Sequence, residues 1–192
     1  MMKQIILFVL GIMFSISIQA HTTISEFTNS HNDSFKVNLL TKDDKPYRIS
    51  IACESTGGDG EIWIEPSEIG EFRNALSAVK SKFEEWDSIA KENDVKEASK
   101  EMPIKFPKVE FVWGYTTTFF AFDSFKAKWF LRSPVEFVLC IASVKASNNQ
   151  FAKNTFSIRF YEIQDVQNLI DALSQDKIDA AIKTTDNLNL FN

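Results

Sequence analysis

The chain is poor in the residues that carry most covalent and metal chemistry. Of its 192 residues only two are histidine and two are cysteine. Both histidines, His21 and His31, fall in a polar segment ahead of the first alternating stretch. A Ser-His-Asp or Cys-His site needs an imidazole held by packing, so neither is expected. Cys53 and Cys140 lie in separate strand-like runs with no Cys-x-x-Cys pair, which leaves no metal-ligand spacing and no disulfide-dense scaffold. A single Cys53 to Cys140 bridge is open to an exported chain; the alternative is two thiols packed as small apolar residues. Positive charge is also in deficit, with 21 Lys and Arg against 26 Asp and Glu and a pI near 5.1. Such a chain has no general attraction for polyanions.

Long apolar runs are missing except at the start. Met1 to Ala20 has one basic residue, Lys3, then the run Ile5 to Phe14, then small and polar residues up to Ala20. The pattern is that of a secretory signal peptide, with an apolar core too short to span a bilayer comfortably. Export to a periplasm or to the medium is therefore expected, with His21 at or within a residue or two of the new terminus. Lys3 is the only charge in that stretch, so the remaining 172 residues carry a net charge of −6. Their number fits one domain or two small fused units.

What is present is a long amphipathic helix. Glu61-Ile-Trp-Ile-Glu65 reads as a short strand that Pro66 breaks, and Ile69, Phe72, Leu76, Val79, Phe83, Trp86 and Ala90 follow at alternating gaps of three and four. That spacing is one stripe on a helix over Ser67 to Ala90, with Ser67 placed to act as N-cap. The stripe is about 31 Å long at about 1.5 Å per residue, whereas a four-stranded sheet is about 15 to 20 Å wide. Phe72 can be covered by one such sheet. Phe83 and Trp86 must pack on the second half of the chain or on another subunit, so a homodimer is left open.

Alternation marks the strands. Phe35 to Leu39 and Tyr47 to Cys53 flank the turn Lys42-Asp-Asp-Lys-Pro46, and one further short strand is expected near Ile24 to Phe27 in an otherwise mobile start. After the charged stretch Lys91 to Lys105 come Val109 to Trp113, Tyr115 to Phe122, Phe125 to Leu131, Val135 to Val144 and Phe156 to Phe160, then a helix near Asp165 to Leu173. Val135 to Val144 is apolar on both faces and reads as a central strand. The chain thus divides into a signal peptide 1–20, a strands-plus-helix half 21–98, a linker 99–107, a second such half 108–183 and a tail 184–192. The expected fold class is α+β, with antiparallel sheets from two pseudo-repeated halves. Setting Glu65 on Glu162 aligns Ala75-Leu-Ser77 with Ala172-Leu-Ser174, as a duplication would.

A duplicated four-strand-plus-helix order resembles that of the Whirly and Pur single-stranded nucleic-acid-binding proteins. The resemblance lies in the order of elements alone, with no motif to carry over. It implies a fold and, as an alternative function, single-stranded nucleic-acid binding, which the acidic charge and the export signal oppose.

Few residues suggest chemistry. Thr56-Gly-Gly-Asp-Gly60 lacks both the lysine of a phosphate loop and the spaced acids of a calcium loop, so it reads as a hairpin turn, and no metal or cofactor is expected. Glu110, Asp123 and Glu136 sit among strands, where a converging pair would suit a hydrolase. The composition is dominated instead by aromatics, with 18 Phe, four Trp and three Tyr. Phe119, Phe125 and Trp129 belong to a hairpin with more bulk than one face can hide, and whatever the core leaves uncovered there is the candidate interaction patch. An exported, non-enzymatic binding or interaction protein is the expected function, acting on a protein or small ligand the sequence does not name.

Overall fold

The computed structural model describes residues 20–43, 45–57, 59–133 and 135–189. The expected signal peptide lies outside them, apart from Ala20. Strands β1 (Ala20–Thr28), β2 (Ser34–Lys42), β3 (Lys45–Ser55) and β4 (Gly60–Ile64) lead into helix α1 (Ile69–Glu92). Then come β5 (Glu97–Glu101), β6 (Val109–Trp113), β7 (Phe119–Asp123), β8 (Lys126–Arg132), β9 (Val135–Lys145) and β10 (Lys153–Phe160), and finally helices α2 (Ile163–Ala172) and α3 (Gln175–Asn189). This is the α+β antiparallel architecture expected.

The strands form one ten-stranded sheet with two leaves. The first runs β1-β2-β3-β4-β6-β7 and the second β5-β8-β9-β10. They join where the end of β3 meets β10, with Ser55 opposite Phe156 and Glu54 opposite Ser157. β9 is central to its leaf, between β8 and β10. Strand pairing does not repeat between the halves. The strands before α1 form one meander, whereas β6 and β7 pair onto β4 and leave β8 to β10 in the other leaf.

Alternation explains which faces are buried. Phe35, Val37 and Leu39 on β2, Ile49 and Ile51 on β3, Phe111 and Trp113 on β6, and Phe156, Ile158 and Phe160 on β10 all reach the core. α1 lies over these faces and buries Ile69, Phe72, Leu76, Val79 and Phe83. Phe72 meets the rings of Phe106 and Phe125 at 5.5 and 6.5 Å, and Phe111 meets Phe125 at 5.1 Å.

Several local expectations are corrected. Ser67 does not cap α1: it sits in a 3-10 turn, Pro66–Glu68, and the helix starts two residues later with no side-chain cap. The segment from His21, expected to be mostly mobile, lies in a nine-residue strand, Ala20–Thr28, followed by a turn that the buried Asn29 ties to Asp33 and Arg159. In the expected linker 99–107 the first part completes β5, and Met102, Phe106 and Pro107 are buried. β7 begins only at Phe119, because Gly114 turns the chain at φ 113°, where a Cβ would lie 2.1 Å from the Thr117 carbonyl oxygen. The expected tail 184–192 is helical as far as Asn189, within α3. The cysteines are free thiols. Cys140 stands opposite Ile158, and the β3–β10 register carries Cys53 to the far side of the same residue. Two strand spacings of about 4.8 Å separate them, beyond the roughly 7 Å a bridge tolerates.

Candidate functional site

The three aromatics expected to form a patch on the β7–β8 hairpin are covered. Phe125 and Trp129 are buried at 2% and 5% exposure, and Phe119 packs half-buried against the core. The reason is α1, whose stripe needs that bulk beneath it. Tyr115 and Phe122 stay exposed beside and on β7, and a separate opening lies at the far end of the same helix.

Phe83 is fully buried, as its place in the stripe requires, and Trp86 is half-buried with its ring edge-on to Trp129 at 5.8 Å. The second half of the chain therefore covers this end of α1, though incompletely. Ile89 and Val95 are 48% and 37% exposed. Together with Trp86, Ala90, Ala98, Lys100 and Trp129 they line a groove of about 220 Å³ between the last turns of α1 and strand β5. The β5–β8 register makes its floor, setting Ala98 opposite Leu131 and Lys100 opposite Trp129. The walls are apolar except for Lys100, whose ammonium lies 4.9 Å from the centre of the Trp86 ring. Lys91 and Lys96, nearby, are each engaged by an acid, Asp87 and Asp94.

Behind the groove, a second cleft of about 210 Å³ holds a pair of acids, Asp87 from α1 and Glu136 from β9. Asp87 Oδ2 accepts from Lys91 Nζ at 2.6 Å, and Glu136 Oε1 accepts from the Trp129 indole N–H at 3.1 Å. Burial, and then the hydrogen bond to Asp87, raise the Glu136 carboxyl above its ordinary range. Among the described residues Asp87 Oδ1 is a buried oxygen with no hydrogen-bond partner. A glycosidase pair leaves both carboxyls free to meet sugar or water, whereas these two are already held by Lys91 and by Trp129.

The three strand carboxylates singled out in the sequence do not converge. Glu110 on β6 is half-buried, with its carboxyl raised by burial and partly restored by Arg48, while Asp123 is exposed at the end of β7. Glu136 alone joins an acid pair, and its partner is a helix residue. Asp87 reads in the sequence as part of a wet helix face, and nothing local marks it. Near the glycine turn, Glu61 accepts from Trp63 Nε1 at 2.7 Å and Glu54 pairs with Arg159 at 3.1 Å. His31 stacks on Tyr161 with centroids 3.5 Å apart, and His21 lies in β1 opposite Leu40.

No family model, no curated protein and no solved structure matches the chain. The likeness to the Whirly and Pur arrangement accordingly rests on element order, and the geometry of the groove carries the functional argument.

Proposed function

We propose that this is an exported, non-enzymatic binding protein, periplasmic or secreted, that holds an apolar group in the groove at the far end of α1. One observation carries the reading: Trp86, Ile89, Val95, Ala98 and Trp129 form an apolar cleft open to solvent, with Lys100, over the Trp86 ring, as its one cation among the described residues. Apolar concavities with few polar groups are the usual form of a binding site. Export is supported by Met1 to Ala20, and a cut after Ala20 leaves His21 to Thr28 paired with β2.

The two alternatives fit less well. Single-stranded nucleic acid needs a basic track beside stacking rings, whereas the lysines flanking this groove are neutralised by Asp87 and Asp94. A hydrolase needs two acids free to meet a substrate, whereas Asp87 is engaged by Lys91 and Glu136 by Trp129.

Anilinonaphthalene sulfonate, an apolar anion, tests the groove. The folded protein should bind it, and Ile89→Glu with Val95→Glu should weaken binding by about tenfold or more while near-ultraviolet circular dichroism stays native. No binding, or binding indifferent to both substitutions, overturns the reading. Intact mass of material from the exporting cell tests the localisation: retention of Met1 to Ala20 sinks it.

A further inference from the structure

Resting on that reading, we infer that the groove's occupant is a basic, extended segment of a partner protein, which adds as an antiparallel strand to the free edge of β5. Among the described residues β5 is the terminal strand of its leaf, with β8 on one side and no strand on the other. Its backbone directions follow from the bonds that bracket it. Met102 N donates to Ala127 O at 2.8 Å, and Ser133 N donates to Lys96 O at 3.1 Å. Directly opposed residues of an antiparallel pair alternate between bonded and unbonded. Lys96, Ala98, Lys100 and Met102 therefore turn their N–H and C=O groups toward β8. Glu97, Ser99 and Glu101 turn theirs outward.

Side chains divide the other way. Ala98 and Lys100 line the groove, while Glu97, Ser99 and Glu101 face away from it and are exposed. A strand laid along this edge bonds to the backbone of Glu97, Ser99 and Glu101. The same strand points the residues opposite Ala98 and Lys100 into the groove, under Trp86 and Ile89. Main-chain bonds then supply affinity and the groove supplies side-chain choice.

Charge decides between a second copy and another protein. β5 laid antiparallel on itself about Ser99 sets Glu97 against Glu101 of the other copy, and about Ala98 it sets Lys96 against Lys100. Like charges directly opposed are destabilising, and two chains of net charge −6 repel at longer range. β8 shows what β5 accepts. Opposite Glu101, Lys100, Ser99, Ala98 and Glu97 it places Lys128, Trp129, Phe130, Leu131 and Arg132. Two basic residues four apart flank two apolar side chains that share the inner face. The partner segment repeats that pattern on the open side: basic, apolar, any residue, apolar, basic.

The test uses the full mature chain and the capped peptide SKLTLKS, with SELTLES and SKLPLKS as controls. SKLTLKS should bind, and the amides of Glu97, Ser99 and Glu101 should then exchange about tenfold more slowly or better, with Ala98 and Lys100 little changed. Ser99→Pro removes only an outward N–H, which an edge strand tolerates. It should weaken SKLTLKS about tenfold or more and leave anilinonaphthalene sulfonate binding unchanged. Glu97→Lys with Glu101→Lys should reverse the preference between SKLTLKS and SELTLES. If the dye binds and the peptide does not, the strand-addition inference falls and the groove reading stands. If neither binds, both fall. Peptide binding indifferent to Ser99→Pro overturns strand addition. Self-association that Ser99→Pro abolishes makes the occupant a second copy and overturns the inference too.

Discussion

The indole N–H of Trp129 donates to Glu136 Oε1 at 3.1 Å, so a carboxyl on β9 that burial and the neighbouring Asp87 raise above its ordinary range also holds one wall of the apolar groove. Three elements meet at this contact: α1 through Asp87, β8 through Trp129 and β9 through Glu136.

A pH dependence follows from the direction of the Glu136 shift. The folded protein keeps this proton to higher pH than the unfolded chain does. The stability it contributes is fully present below the ordinary glutamate range and is lost as pH rises through the raised value. Glu136→Gln should therefore gain stability relative to the native chain on going from about pH 4 to about pH 7. Thermal unfolding of both proteins over that range checks it; a constant difference would mean the Glu136 carboxyl is not raised in the folded protein.

Phe72 and Trp86 sit at opposite ends of one stripe and should not cost the same. Phe72→Ala empties a fully buried site among the rings of Phe106 and Phe125 and should cost about 3 to 5 kcal/mol. Trp86 is half-buried, so Trp86→Ala should cost less, about 1 to 3 kcal/mol. Both losses should be independent of protein concentration in urea unfolding, because Trp129 of the same chain covers Trp86. A concentration-dependent midpoint would put another subunit there.

Asp165 clamps the start of α2 to the β1–β2 turn. It accepts from Ser30 N and Oγ and from Tyr161 N and Glu162 N, at 2.8 to 3.0 Å, while 3% exposed. Asp165→Ala leaves buried donors unpaired and should cost about 3 kcal/mol or more, with Asp165→Asn intermediate. Chemical denaturation decides; a loss within about 0.5 kcal/mol, the size of a neutral surface change, would show that water replaces the clamp.

Neither thiol should behave as a reactive cysteine. Burial pushes Cys140 up to about 12, and burial with Glu61 and Glu54 nearby pushes Cys53 higher still. At pH near 8 an aromatic disulfide reagent should label neither until the protein is unfolded, when both should react. Rapid labelling of the native protein would contradict the packing, and the mass of an oxidised, bridged species would contradict the register.

The sequence by itself determined the α+β class, the α1 stripe, the central position of β9 and the need to cover Phe83 and Trp86, because period and length are local properties of a chain. Its misreadings have a common source. β5 reads Glu-Ala-Ser-Lys-Glu and carries no strand signal; it is a strand because β8 offers it a ladder and opposite charges at Lys128 and Arg132. Phe125 and Trp129 read as surplus aromatics because a single hairpin cannot hide them, and α1 hides them from 30 residues or more away in the chain. Asp87 and Glu136 looked unrelated for the same reason. Only the tertiary structure decided which edge stayed open, which acids came to line one cleft and where the groove fell. Each of these depends on pairing between distant segments, and local periodicity carries no information about that pairing.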